Sequence, residues 1–236
     1  MYKKWKILAL IPARGGSKTI KYKNIRIVDK QPLIYYTIKA AKQCDFIDDI
    51  IVSTDSNRIA RQAIKCGASV PFLRPANLAT DISPTIDCVI YTINKLKSIG
   101  KKYDILILLQ PTSPLRSSSD ILNAFLLFIK NKQDLLSINQ ININPLLYRT
   151  KINDNLYRII NKSSTCRRQD LPTYYKVNGA IYINWIKTLT SSTSLNDNPI
   201  GYVMPSHASI DIDTMDDLNA VKRIIRQKNT ARKKYE

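Results

Sequence analysis

The stretch ILALIPARGGSKTIKYKN (Ile7–Asn24) sets the reading of the whole chain. Its first five residues are apolar at every position, which is the pattern of a strand buried on both faces rather than of a half-exposed one. The run stops at Pro12. One arginine, two glycines and three lysines follow within the next eleven residues. Gly15 and Gly16 allow a tight turn and close approach of the backbone to a ligand, and backbone N–H groups in such a turn can cradle phosphate. Arg14 can grip phosphate oxygens in a bidentate way, whereas Lys18, Lys21 and Lys23 act as point charges. The order of residues fits neither G-x-x-x-x-G-K-[ST] nor G-x-G-x-x-G. An exposed basic turn is the other reading of the same residues.

Outward from this stretch, apolar runs alternate with segments of helical periodicity. Strands are expected at KILALIPA, DDIIVST, ASVPFLR, YDILILLQ, DLLSIN, VNGAIYINW and YVMP. Helices are expected at PLIYYTIKAAKQC, SNRIARQAIKCG with Ser56 as N-cap and Gly67 as stop, SPTIDCVIYTINKLKSIG, SSSDILNAFLLFIKN, and TMDDLNAVKRIIRQ with Thr214 as N-cap. Such alternation predicts an α/β fold with a doubly wound, mostly parallel sheet. In that architecture ligands bind beyond the carboxyl ends of the strands. Residues 13–24 and 110–116 both leave strands directly and belong on that face. The pattern fades over residues 140–175, which are Asn-rich, basic and dotted with Ile, Leu and Tyr. The expected organisation is a core of residues 1–139 and 176–228, an insertion at 140–175 and a frayed basic tail at 229–236.

Composition limits the function classes. With 236 residues and 44% hydrophobic residues the chain can bury a sizeable core. The formal charge of +19 points to an anionic partner or to a Lys-rich solvated surface. Four isolated cysteines (Cys44, Cys66, Cys88, Cys166) and a single histidine, His207, argue against a zinc site; reduced thiols are expected, with Cys44, Cys66 and Cys88 as packing residues. MYKKWK followed by ILALI is too short an apolar run for a leader peptide. No segment reaches membrane-spanning length, so a cytoplasmic protein without a membrane partner is expected.

Three further motifs can carry chemistry. In QPTSPLR (Gln110–Arg116) two prolines stiffen a loop leaving a buried strand, and Gln110, Thr112 and Ser113 suit a polyhydroxylated ligand. A structural role is the other reading of Ser113, and Ser117–Ser119 read as the cap of the next helix. In SIDIDT (Ser209–Thr214), Asp211 and Asp213 lie two apart, so an extended backbone points both carboxylates to one face. Two carboxylates opposite a basic phosphate loop suit Mg²⁺, which prefers carboxylates together with substrate phosphates. The alternative is that Asp213 caps a helix while Asp211 is merely solvated. RPANLATD (Arg74–Asp81), followed by Thr85, makes a polar turn able to hold a base or ribose, with Thr85 alternatively a helix cap.

Taken in order, IPARGGSK…KN, LRPANLATD, LQPTSPLR, NGAIYI and SIDIDT resemble the acylneuraminate cytidylyltransferases, also called CMP-sialic acid synthetases. The resemblance runs from Ile7 to about Ile225. It implies a Rossmann-like nucleotidyltransferase fold and a homodimer whose insertion reaches the partner subunit. It also implies transfer of a cytidylyl group from CTP to a nine-carbon (nonulosonic) sugar acid, foremost N-acetylneuraminate, with release of pyrophosphate. On this resemblance Arg14, Lys18 and Lys23 bind phosphates, and Asn24 and Thr85 the cytidine portion. Arg74 lies beside the cytosine, and Gln110 and Arg168 meet the sugar acid. Asp211 and Asp213 hold Mg²⁺, with Asp211 a candidate for removing the acceptor proton. Several positions depart from the family pattern. Thr19 replaces a frequent glycine, Leu147 a lysine and Lys176 an arginine, and aromatic residues are missing from TSSTSLNDNPIG. These departures fall mainly in the sugar half and bring in legionaminic acid, and less so pseudaminic acid, as acceptors. Readings of another class are a basic nucleic-acid-binding protein, for which no recognised motif is present, and a binder that has lost its chemistry. A transferase for 3-deoxy-manno-octulosonic acid fits the motifs less well.

Overall fold

The computed structural model describes residues 4–141, 145–161, 165 and 172–233. A six-stranded sheet forms its centre. Its strands are β1 (Ile7–Pro12), β4 (Asp49–Ser53), β5 (Ile105–Leu109), β6 (Leu135–Ile141), β9 (Tyr174–Trp185) and β10 (Ile200–Val203), in the spatial order β4-β1-β5-β9-β6-β10. The pairs β1–β4, β1–β5 and β6–β10 are parallel, and β9 runs antiparallel to both its neighbours. Two small ribbons complete the strands: β2 (Ile27–Val28) with β3 (Gln31–Pro32), and β7 (Arg149–Ile152) with β8 (Asn155–Arg158). The first turns through Asp29 and Lys30, both at positive φ, as a two-residue hairpin turn requires.

Alternation along the strands divides the core into two layers. Ile7, Ala9 and Ile11 of β1 face one cluster, and Leu8 and Leu10 face the other. The first cluster is closed by α1 (Leu33–Lys42), α2 (Asn57–Lys65), α4 (Ser118–Asn131) and α5 (Met215–Lys233). Phe125 and Phe128 of α4 are fully buried there, and Phe46 stacks on Phe125 with ring centroids 4.4 Å apart. The second cluster is closed by α3 (Thr85–Ser98) with Leu195 from the loop before β10. Helices on both faces of a mostly parallel sheet make the fold α/β and doubly wound. From β1 the chain goes to β4 on one side and then returns to β5 on the other. A crevice therefore opens between the carboxyl ends of β1 and β5.

Helix boundaries follow local chemistry. The Ser56 side chain accepts from the Ile59 N–H, and Gly67 adopts φ +92° beyond the helix end. Ser117 and Asp120 form a reciprocal capping box on α4, and Thr214 and Asp217 exchange the same pair of bonds on α5.

Several expectations are corrected. ASVPFLR is not a strand: only Ser69 bridges to Ile51, because Pro71 has no N–H to extend the ladder. YDILILLQ does not lie between two parallel neighbours, since β9 flanks it antiparallel. The tail does not fray at residue 229. The last helix continues to Lys233, held by Asn229 donating to Asp29 and by Arg226 3.9 Å from the same carboxylate. Cys44 and Cys88 are buried as expected, whereas Cys66 is half-buried; Cys166 lies outside the described residues. The insertion holds the β7–β8 hairpin, and the flanking sheet strands run to Ile141 and start at Tyr174. Among the described residues no helix is long and apolar enough to cross a membrane.

Candidate active site

The loop after β1 is built differently from a plain phosphate cradle. The Gly15 N–H donates to Asp55 Oδ1 at 2.8 Å, so that amide is already engaged. A Cβ on Gly15 would stand 3.1 Å from Ser56 Cβ, so a side chain there would crowd the start of α2. Gly16 has open space instead and lines the cavity described below. Asn24 is buried and donates to the Arg14 carbonyl at 2.9 Å, tying the two ends of the loop together. Lys23 Nζ donates to the Ile212 carbonyl at 2.8 Å and lies 3.3 Å from Asp213 Oδ1. Lys21 falls short of its expected role. Its ammonium lies over the Tyr22 ring, 5.6 Å from the centroid, and the side chain does not line the cavity.

That cavity, of about 500 Å³, fills the crevice between β1 and β5. It gathers Arg14, Lys18, Lys23, Asn24, Arg74, Thr85, Gln110, Asp211 and Asp213, residues drawn from across the sequence. Arg74 is 7% exposed, and its Nε and Nη2 are buried with no hydrogen-bond partner among the described residues. A buried guanidinium with unpaired donors is costly unless a ligand supplies acceptors. Thr85 is the first residue of α3, preceded by Pro84 with no side-chain cap, so its hydroxyl is not spent on capping. Across the mouth, Asp81 Oδ1 lies 2.7 Å from Arg14 Nη2 and Asp81 Oδ2 lies 3.0 Å from Lys18 Nζ. The Lys18 hydrogen bond and the Arg14 charge hold the Asp81 carboxyl below the usual carboxylate range.

The two remaining loops meet beside Lys23. The Ile212 N–H donates to the Thr112 carbonyl at 2.9 Å, pinning the 209–214 segment to the loop after β5. This segment is not a continuation of β10, because a 3₁₀ turn at Ser206–Ala208 intervenes. Ile212 is nevertheless fully buried between the two carboxylates. Burial pushes the Asp211 carboxyl above its ordinary value. The Thr112 hydroxyl opposes this, and the charge of Asp213 adds to it. Asp211 Oδ1 is buried without a partner among the described residues, while the Asp213 side chain is 74% exposed apart from its contact with Lys23. Asp213 caps no helix, since Thr214 does. Ser113 follows its structural reading rather than the ligand-facing one: it is buried and lines neither of the two cavities at the carboxylates.

A second cavity of about 540 Å³ adjoins the first and shares Gln110, Asp211 and Asp213 with it. Lys176, Asn139, Asn178, Tyr182 and Asn196 add an ammonium, three amides and a phenol to its lining. Gly179 makes this geometry possible: it sits at φ +71°, where the β6–β9 register shifts, and a Cβ there would stand 3.0 Å from Gln110 Oε1. Asn178 accepts from Ser137 Oγ and the Ala180 N–H and donates to Ser209 Oγ at 3.1 Å, linking the bulge to the carboxylate-bearing loop.

Three residues of the site carry no sign of their role in the sequence. Asp81 reads only as the end of the polar turn RPANLATD, and Asp55 only as the residue before the Ser56 cap, because each is distant in sequence from the group it meets. Arg116 closes QPTSPLR with nothing to mark what it does. It is 2% exposed and donates to the carbonyls of Gln110 and Ala180, clamping the loop after β5 onto β9. Burial lowers its guanidinium to about 10 against the opposing pull of Asp120. The expected sugar-acid contact Arg168 lies outside the described residues.

A basic, open crevice at the switch point of a doubly wound sheet, adjoining a second polar cavity across two carboxylates, is suited to bringing a nucleotide and a second polar substrate together. Residues 8–229 match the family described as cytidylyltransferase. The chain is 38% identical over 217 residues to the CMP-N,N'-diacetyllegionaminic acid synthase of Legionella pneumophila, covering 89% of this chain and 91% of that one. It is 32% identical over 227 residues to the N-acylneuraminate cytidylyltransferase of Escherichia coli, covering 95% of this chain and 53% of the relative. The solved CMP:2-keto-3-deoxy-manno-octonic acid synthetase complexed with CTP superposes with a TM-score of 0.71 at 18% identity, covering 94% and 99% of the two chains. The chain belongs to the cytidylyltransferase family, in its acylneuraminate branch, and is a CTP-dependent enzyme.

Proposed function

We propose that the protein joins the cytidylyl group of CTP to the anomeric hydroxyl of a nonulosonic acid, releasing pyrophosphate, and that the acceptor is a legionaminic-type acid. The observation that carries this reading is the pair of cavities meeting at Gln110, Asp211 and Asp213. The basic cavity suits the nucleotide, with Arg74 donors at its floor and cations at its mouth. The second cavity suits a sugar acid, with Lys176 for the carboxylate and the amides of Asn139, Asn178 and Asn196 for acylamino groups. N-acetylneuraminate, favoured by the motifs, is the second choice. The Legionella relative matches along nearly its full length and bears the legionaminic name.

In this reading the chain's own groups do most of the work by positioning and charge neutralisation. Lys23 sits at the carboxylates and faces the phosphoryl group being transferred. Arg14 and Lys18, nearer the mouth, face the departing phosphates. Gln110, held by Arg116 and abutting Gly179, orients the acceptor hydroxyl. Asp211 and Asp213 are the groups that would hold Mg²⁺. The fit is supported by the buried, unpartnered Asp211 Oδ1 and by the preference of this ion for one or two carboxylates plus substrate phosphates. When bound, the ion would neutralise charge on the phosphate oxygens.

A homodimer is also proposed. Leu147, Ile152, Leu156, Tyr157 and Ile159, on and around the β7–β8 hairpin, are all half or more exposed, an apolar surface of the kind that a second copy covers. Sedimentation should give twice the chain mass; a species near 26.9 kDa would refute it.

The test of the reaction is pyrophosphate release from CTP and Mg²⁺ with N,N'-diacetyllegionaminic acid, N-acetylneuraminate and pseudaminic acid in parallel. Release should be fastest, by kcat/KM, with the legionaminic acid. Faster release with either of the others reassigns the acceptor, and release with none of the three removes the proposal.

A further inference from the structure

Arg14 and Lys18 each meet a different oxygen of one carboxylate, that of Asp81, at 2.7 and 3.0 Å. A carboxylate bridging two cations with both oxygens offers them what two phosphate oxygens would offer. The turn that carries it is stiffened from within. Thr80 N–H donates to Ser83 Oγ at 3.2 Å, and Ser83 Oγ donates to the Asn77 carbonyl at 2.9 Å. Its tip has no apolar anchor, since Ile82, next to Asp81, is 91% exposed. Across the mouth, the ion pairs are therefore its main tie to the loop after β1.

We propose that Asp81 is a displaceable surrogate for the leaving phosphates on Arg14 and Lys18, one that loosens every ligand whose phosphates must reach those two cations. The inference rests on reading this cavity as the triphosphate site. Arg14 and Lys18 stand at the mouth, whereas Lys23 stands at Asp213, where transfer would take place. The mouth cations thus meet the β- and γ-phosphates. A polyphosphate must displace Asp81 to reach them, and this costs every such ligand part of its affinity. CTP bears this loss and is still held by its nucleoside contacts with Arg74 and Thr85. Free pyrophosphate bears the same loss without those contacts and is held weakly. After transfer, Asp81 re-pairs with the two cations as pyrophosphate leaves, which loosens the site's hold on the product while leaving the ratio of the CTP and pyrophosphate affinities unchanged. Ion pairs this exposed are individually weak and salt-sensitive, so the effect is a several-fold one that fades at high ionic strength.

The experiment is calorimetric titration of the wild type, Asp81→Asn and Asp81→Glu with inorganic pyrophosphate, CTP and CMP, at low and at high salt. Asp81→Asn should bind pyrophosphate and CTP about fivefold to tenfold tighter at low salt, with CMP unchanged and the gain shrinking at high salt. Asp81→Glu should behave as the wild type. If the wild type binds CTP and pyrophosphate but Asp81→Asn binds pyrophosphate no tighter, or more weakly, Asp81 is not a surrogate. The idea also fails if CMP tightens as much as pyrophosphate. If the wild type binds neither CTP nor pyrophosphate, the triphosphate reading falls and this inference with it. Melting curves of the three proteins verify that each is folded; Asp81 lies on an exposed turn outside the core.

Discussion

Asp211→Asn should lower kcat/KM by about 10²–10³-fold, the scale of removing one preorganised electrostatic contact, and should also raise the melting temperature of the metal-free protein at pH 7. Both effects come from one placement. Asp211 stands where the two cavities meet, and no other described residue offers them an oxygen that is both buried and unpartnered. Burial raises its carboxyl above the ordinary value, which in an unfolded chain is about 3.9. Between the unfolded and the raised folded value, the folded protein binds more protons than the unfolded one. Stability therefore falls as pH rises through that window and stays lowered above it. The neutral amide of the variant escapes that loss. Its advantage should be present at pH 7 and vanish below about pH 4, where both states of the wild-type side chain are protonated. In a chain of this size about 1 kcal/mol corresponds to roughly 2–4 °C. A variant that keeps wild-type turnover, or that melts lower than the wild type at pH 7 in chelator, contradicts the placement.

Arg74→Met should weaken CTP binding by about 10²-fold without lowering thermal stability. The two buried, unpartnered guanidinium nitrogens are donors waiting for acceptors. Charge-assisted hydrogen bonds contribute roughly 1.5–3 kcal/mol each, so losing them reaches about two powers of ten in affinity. The protein alone gains nothing from these two donors, and leaving them buried and unpaired costs stability. Methionine fills a similar length without that cost. Titration with CTP and a melting curve read the two halves separately. A large drop in melting temperature would mean that Arg74 is a structural residue and that the cavity floor has been misread.

The fold was legible where burial on both faces leaves a continuous apolar signature, as in ILALI and ILILL, and where caps are local, as at Ser56, Ser117 and Thr214. The direction of β9 was not legible. A strand buried on both faces reads the same whichever way it runs, so VNGAIYINW carries no mark of being antiparallel. The carboxylate pair and the cation loop were visible as motifs, but their partners were not. Asp55 lies 40 residues from the amide it engages, and Asp81 lies 67 residues from Arg14. No linear pattern encodes which acidic side chain closes on which cation. The last helix was cut short because a polar, basic tail shows no apolar face. Its extension is held by a single carboxylate, Asp29, 200 residues away.

The reversed strand divides inheritance within the site. Because β9 opens at the ligand end of the sheet and then runs back through the core, Lys176, Asn178 and Gly179 are continuous with the hairpin insertion. The cations Arg14, Lys18, Lys23 and Arg74 all come from the first half of the chain. Acceptor preference could thus be exchanged as a cassette spanning roughly residues 139–179, while the nucleotide half stays in place. Such a chimera must retain the glycine that lets Gln110 pass and the asparagine that braces the carboxylate loop. In this fold those two residues set the limit on what such a cassette can carry.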